Sequence, residues 1–186
     1  MQRCNPFLLL WLYNLFMPVT PFHLLAIIPL KAIAPHRFSW SVFALTNVII
    51  DLEPITYYLI TLYPSHGFFH TIIGATLIAI LCATYGRRLC ELAIRTLHGE
   101  LQDKEIKWVG KASIGNTAAW SGALIGAWSH LLLDSFMHED IKPFSPFTDA
   151  NPLLGVISVG TLNALCVVSG LLGVVMLVLL KKRKRD

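Results

Sequence analysis

The stretch W-S-H-L-L-L-D-S-F-M-H-E-D, residues 128 to 140, sets His130 and Asp134 four residues apart in a segment that otherwise reads as a membrane-spanning helix. On a helix, residues i and i+4 stand one above the other on the same face. An ionisable pair in hydrocarbon is costly, and such residues usually mark a functional site with a partner. The rest of the chain supplies candidates for that partner.

Composition identifies the solvent. Of 186 residues, 55% are hydrophobic and only 14% are charged, with a mean hydropathy of +0.61. Ordinary soluble domains carry roughly 25% charged residues, so this composition is that of an integral membrane protein. One domain spanning residues 1–186 is the expected size class. Cys4, Cys82, Cys90 and Cys166 have no metal-ligand spacing and read as small hydrophobes. The net charge of +4 gathers in Lys181-Lys182-Arg183-Lys184-Arg185. Directly after a long apolar run, that cluster reads as a cytoplasmic anchor and not as a nucleic-acid patch, and no nucleic-acid partner is expected.

Working outward from the opening stretch, apolar spans alternate with short polar joints. The sequence predicts helices over about 20–34, 39–63, 66–85, 116–137 and 154–180, with a shorter apolar stretch at 6–17. The expected fold is all-α: a polytopic membrane bundle of about five to six apolar helices, several kinked by proline (Pro29 among them). The one long polar segment, 86–115, holds six Lys/Arg and four Asp/Glu between Gly86 and Lys111. It reads as a cytoplasmic loop and a possible partner surface. No cleavable signal peptide is expected, since only Arg3 precedes the first apolar run and no small-residue cleavage site follows.

Counting basic residues orients the bundle. A cytoplasmic tail at 181–186 puts 138–154 outside, 86–115 inside, the turn at 63–65 outside, and Lys31, His36 and Arg37 inside. With that orientation, His130 and Asp134 lie in the outer half of their helix. His66 and His70 open the helix that descends from the outer turn, and His23 opens an inward-running one. Asp51 and Glu53 lie about 18 Å up from the cytoplasmic end at 1.5 Å per residue. Seven ionisable side chains from four segments thus converge on one level of the outer leaflet, and the orientation depends on none of them.

A divalent metal accounts for such a set. Imidazole and carboxylate ligands suit zinc, and also manganese or iron, and the cluster contains no cysteine of the kind a thiolate structural zinc site uses. A cation also offsets the cost of burying several carboxylates. The expected metal ligands are His23, Asp51, His66, His70, His130 and Asp134, around one or two ions. Taken singly, each has a plainer reading: His66 as an interfacial residue, and His138 with Glu139 and Asp140 as a solvated helix exit. Glu53 points away from Asp51 if the backbone stays helical. Hydrogen bonding between helices explains one or two such residues, but not seven.

Four segments occur in order: T-P-F-H (20–23), D-L-E-P (51–54), H-G-F-F-H-T (66–71), and S-H-L-L-L-D-S-F-M-H-E with K-P-F-S-P-F (129–139 and 142–147). Together they resemble the bacterial membrane-bound metal-dependent hydrolase family, which includes the LexA-regulated inner-membrane hydrolase. The resemblance covers about residues 18–150 and implies a bacterial inner-membrane location. It also implies metal-ligand roles for His23, Asp51, His66, His70, His130 and Asp134. The chain departs from that pattern where Ile50 and Glu53 stand for the usual Pro and second Asp, and where Gly67 stands for the usual Arg.

The function expected from these readings is metal-assisted hydrolysis of an ester or phosphoester, on a membrane lipid or lipid-linked substrate at the outer face. Glu53 and His138 are the candidate catalytic residues, as proton carriers, and Lys142 is a candidate anion contact. Two other classes stand beside it. A metal or proton transporter would need polar residues continuing inward, where the helices are nearly all apolar. A non-catalytic membrane protein with a structural or vestigial metal site would need none.

Overall fold

The computed structural model describes residues 21–60, 66–100 and 113–183. The apolar stretch at 6–17, the turn at 63–65, much of the polar segment and the side chains of the basic tail lie outside the described residues. Every regular element among the described residues is helical, as expected. Helix α1 is Pro21–Ala26, α2 Ile28–Ile33, α3 Trp40–Ile60, α4 Ile72–Leu81, α5 Arg87–Glu100, α6 Asn116–Met137 and α7 Val159–Arg183. A single turn, Phe68–His70, precedes α4. A widened turn, Cys82–Gly86, carries α4 into α5 without a break.

Three spans differ from expectation, each for a local reason. The helix expected over 20–34 is two helices divided at Ile27, with Pro29 in the first turn of α2. Proline has no N–H to give and is tolerated there, where the N–H would lack a partner anyway. The helix expected from His66 begins only at Ile72, because Thr71 is extended and its side chain caps α4 by accepting the Gly74 N–H. His66 and His70 therefore do not share a helical face, and a turn brings them together instead. Beyond Tyr85 the chain stays helical to Glu100, so the polar segment opens as a continuation of the preceding span.

Two described helices are long and apolar enough to cross a membrane, where five to six were expected. They are Ile72–Leu97, of 26 residues, and Val159–Leu180, of 22. Helices α1 and α2 have six residues each, too short to span. Helices α3 and α6 are longer but bury polar faces carrying Asn47, Asp51, His130 and Asp134. Around α7 the exposed side chains include Leu165, Val168, Leu171, Leu172, Val175 and Leu179. A helix apolar on all sides suits lipid better than water.

The site is positioned by α6, which packs against α3 on one side and α4 on the other, while α1 and α2 pack against α7. Along α6, Ala118, Gly122, Gly126, His130 and Asp134 follow at four-residue intervals and are buried. They form one stripe, small at its start and ionisable at its end. The small residues let α3 approach closely. A β-carbon at Gly122 would stand 2.5 Å from the Ser39 carbonyl oxygen, and one at Gly126 would stand 3.0 Å from that of Phe43. Two turns further along the same contact, Asn47 and Asp51 of α3 meet His130. The loop leading to α7 is tied to the same end of α6, where Asn151 Nδ2 donates to the Ser135 carbonyl at 3.0 Å and Gly155 N donates to that of Phe136 at 3.2 Å.

Candidate metal centre

His130 and Asp134 meet two further elements at the end of α6. His130 Nε2 lies 3.0 Å from Asp134 Oδ2 and 3.3 Å from Asp51 Oδ1. His70 Nε2 lies 3.6 Å from Asp134 Oδ2. One ligand atom from each of Asp51, His70, His130 and Asp134 falls within 4.8 Å of all the others, and all four residues are buried. A tetrahedral ion with bonds near 2.0–2.1 Å sets its donor atoms about 3.3–3.4 Å apart. The observed separations bracket that value.

The tautomers follow from the hydrogen bonds behind the rings. Asn47 Nδ2 donates to the Phe43 carbonyl at 2.8 Å. That fixes the amide so that Asn47 Oδ1, an acceptor, faces His130 Nδ1 at 3.0 Å. Nδ1 of His130 therefore carries hydrogen, and Nε2 points into the cluster with a lone pair or an exchangeable proton. His70 repeats the arrangement, its Nδ1 donating to Glu53 Oε2 at 3.0 Å. Such partners behind metal-binding imidazoles set both tautomer and ring orientation.

The inward-facing atoms are not paired with one another by hydrogen bonds. His70 Nε2, His130 Nε2, His23 Nε2 and Asp134 Oδ1 are buried without a hydrogen-bond partner despite their proximity. Buried polar atoms are almost always satisfied, and each orphan costs on the order of 1–3 kcal/mol. Orphaned imidazole nitrogens gathered around one carboxylate fit a cation: it would take the lone pairs and offset the carboxylate charge together. Asp51, His70, His130 and Asp134 can thus hold a metal ion.

One family model matches residues 17–186, a range that includes every residue of this cluster. The chain belongs to DUF4184, a domain of unknown function. No curated protein and no solved structure matches it.

The other residues singled out in the sequence take distinct places in this DUF4184 chain. His23, on α1, stands beside the quartet, its Nε2 3.2 Å from Asp134 Oδ1 and its ring 4.7 Å from that of His130. His66 joins a second set with Asp134 and His138, whose ligand atoms also lie within 4.8 Å of one another. Its ring is 4.6 Å from that of His70 and 4.4 Å from that of His138. Burial lowers the pKa of the half-buried His138. At His70, burial acts to lower the pKa, but the nearby Asp134 carboxylate and the hydrogen bond to Glu53 outweigh it and raise it.

Glu53 has a defined task away from the quartet. Its carboxylate accepts the Gly67 and Phe69 amide N–H groups at 3.0 Å as well as His70 Nδ1–H. The helix runs on through Pro54, so Glu53 faces the 67–70 turn while Asp51 faces α6. A carboxylate occupied by three donors positions His70. Lys142 sits on the exposed loop and pairs with Asp149 at 2.8 Å.

Two functional residues are missed by sequence reasoning. Asn47 precedes Asp51 by one helical turn on the same face, and an amide inside an apolar run is the available signal. Asp140 grips His66 twice, accepting from Nδ1 at 2.8 Å and from the backbone N–H at 3.1 Å. It lies 74 residues from its partner in sequence, with nothing local to mark it.

Proposed function

We propose that this chain is a membrane-embedded, metal-dependent hydrolase that cleaves an ester or phosphoester, carried on a lipid or lipid-linked molecule, at the outer face of a bacterial inner membrane. The carrying observation is the quartet of Asp51, His70, His130 and Asp134, three of whose donor separations bracket tetrahedral spacing and whose two imidazole Nε2 atoms lack hydrogen-bond partners. Zinc suits this nitrogen and oxygen donor set best, with manganese or iron as alternatives. A divalent cation bound there supplies Lewis acidity and lowers the pKa of water toward ~7.

The chain's own residues do the rest. Asn47 and Glu53 hold the two imidazoles with Nε2 forward, so the ligand set needs little reorganisation on binding. Asp51 and Asp134 balance the cation's charge in a water-poor interior, where electrostatic effects are strong. Of the two residues expected to carry protons, Glu53 is committed to the 67–70 turn, and His138 remains at the half-exposed edge of the cluster.

The membrane assignment rests on the two long apolar helices and on the lipid-like surface of α7. The loop tied to α6 leads directly into α7, so the cluster and the start of α7 share one end of the bundle, opposite the C-terminal end of α7. With the tail in the cytoplasm, the cluster faces outward.

Complete burial of His70 and His130 also favours a second reading, a closed structural metal site without catalysis. Purified, metal-loaded protein incubated with a panel of phosphodiesters and lipid esters separates the two. Turnover that Asp134→Ala abolishes is expected. Stoichiometric metal with no turnover on any member would leave the structural reading in place.

A further inference from the structure

We propose that the chain binds a second divalent cation, held by His66, His138 and Asp134, with Asp134 shared between the two positions. This inference rests on the reading of the quartet as a metal site and extends it. Three observations carry it.

His66, Asp134 and His138 bring two imidazoles and one carboxylate within 4.8 Å of one another, and Asp134 belongs to this set and to the quartet alike. A carboxylate has two oxygens with about four lone-pair sites, enough for two cations at once. Of the Asp134 oxygens, Oδ2 faces His130 and His70, while Oδ1 is buried 3.2 Å from His23 Nε2 without forming a hydrogen bond.

His66 is built like the quartet's histidines. Asp140 accepts its Nδ1–H at 2.8 Å and its backbone N–H at 3.1 Å, so the ring is oriented from behind by a carboxylate, as Glu53 orients His70. A carboxylate behind an imidazole is the usual support of a metal-ligating histidine. The ring then packs between His70 of the quartet and His138. Three imidazole rings crowded beside a carboxylate make a poor hydrophobic cluster and a good donor set.

Sharing Asp134 sets the geometry. Paired metal sites hold their ions about 3.5–4 Å apart and clamp both the attacking and the leaving oxygen of a displacement. Within the proposed ester or phosphoester class, a paired site would favour phosphoesters, whose non-bridging oxygens could span two cations. His138 then holds a cation and does not carry protons.

The test is metal stoichiometry on the full chain, purified in detergent, stripped with chelator and titrated with Zn2+, with elemental analysis after desalting. The wild type is expected to hold two equivalents. His138→Gln and His66→Gln are each expected to hold one, and retention of that first equivalent shows that the variant is folded. In a parallel Mn2+ titration, the electron paramagnetic resonance spectrum of the wild type is expected to show exchange coupling between two ions, absent in either variant. One equivalent in the wild type overturns the second position and leaves the quartet standing. Two equivalents retained in both variants also overturn it. No tightly held metal in the wild type overturns the quartet and the shared site together.

Discussion

The Glu53 carboxylate accepts the Gly67 amide N–H at 3.0 Å, and a β-carbon at position 67 would stand 3.0 Å from Glu53 Oε1. Two of the positions at which the sequence departs from the hydrolase-like pattern are therefore in contact. A longer carboxylate at 53 reaches the turn, and a residue without a side chain at 67 leaves room for it. Glu53→Ala would strand the N–H groups of Gly67, Phe69 and His70 Nδ1. The expected loss is about 1–3 kcal/mol of stability and about 10–100-fold in metal affinity. Gly67→Ala should act in the same direction but more weakly, since the Glu53 tip can shift. Thermal unfolding in detergent and competitive metal titration measure both effects, and unchanged metal affinity in Glu53→Ala would remove Glu53 from the site.

Asn47 serves His130 as Glu53 serves His70. Asn47→Leu keeps the volume roughly constant but deprives His130 Nδ1–H of its acceptor. Metal affinity is expected to fall about 10–100-fold. Stability of the metal-free protein should fall by on the order of 1–3 kcal/mol, the cost of a buried unpaired donor. Isothermal titration with Zn2+ on wild type and variant reads the first effect, and unfolding in the presence of chelator reads the second.

What the sequence reveals about this site follows from where its information is local. His130 and Asp134 are one turn apart on one helix, so spacing alone puts them on a shared face, and α6 spans the residues expected. Asp51 is visible as a carboxylate inside an apolar run. For His66 and His70 the four-residue spacing is ambiguous: it predicts a helix, but Gly67 and the Thr71 cap make a turn there instead, and the rings still meet. Asp140 reads as solvent-facing in the sequence because only tertiary packing puts it behind His66. Among the described residues two helices and not five to six are long and apolar enough to span, in part because the apolar character of residues 20–34 says nothing of the break at Ile27.

Close packing of α3 on α6 is the scaffold on which the quartet rests. Gly122→Ala would place a methyl group 2.5 Å from the Ser39 carbonyl oxygen, a backbone atom that cannot move without its helix. The helices should separate, at a cost of about 1–3 kcal/mol for overpacking. Because His130 and Asp51 sit two turns further along the same contact, metal affinity should fall as well. Ala119→Gly, which adds no bulk to that face, is expected to leave metal affinity close to wild type. Equal metal affinity in Gly122→Ala and wild type would show that the quartet does not depend on this approach.

Acid should release the metal. The ligands of the quartet bind as neutral imidazole and ionised carboxylate, so cation and proton compete for the same lone pairs. In the metal-free protein, burial acts to lower the His70 pKa, but the nearby Asp134 carboxylate and the hydrogen bond to Glu53 prevail and raise it. A raised pKa means that His70 keeps its proton to a higher pH than a free histidine, and a cation must displace that proton. Apparent affinity is therefore expected to climb with pH through and above the ordinary histidine range near 6.5, and to fall steadily below it. Zn2+ titrations between about pH 5.5 and about pH 8.5, a window centred on and above that range, check the sign, with proton release followed in a weakly buffered solution. An affinity that does not change over that interval would mean that no titrating imidazole contributes a ligand.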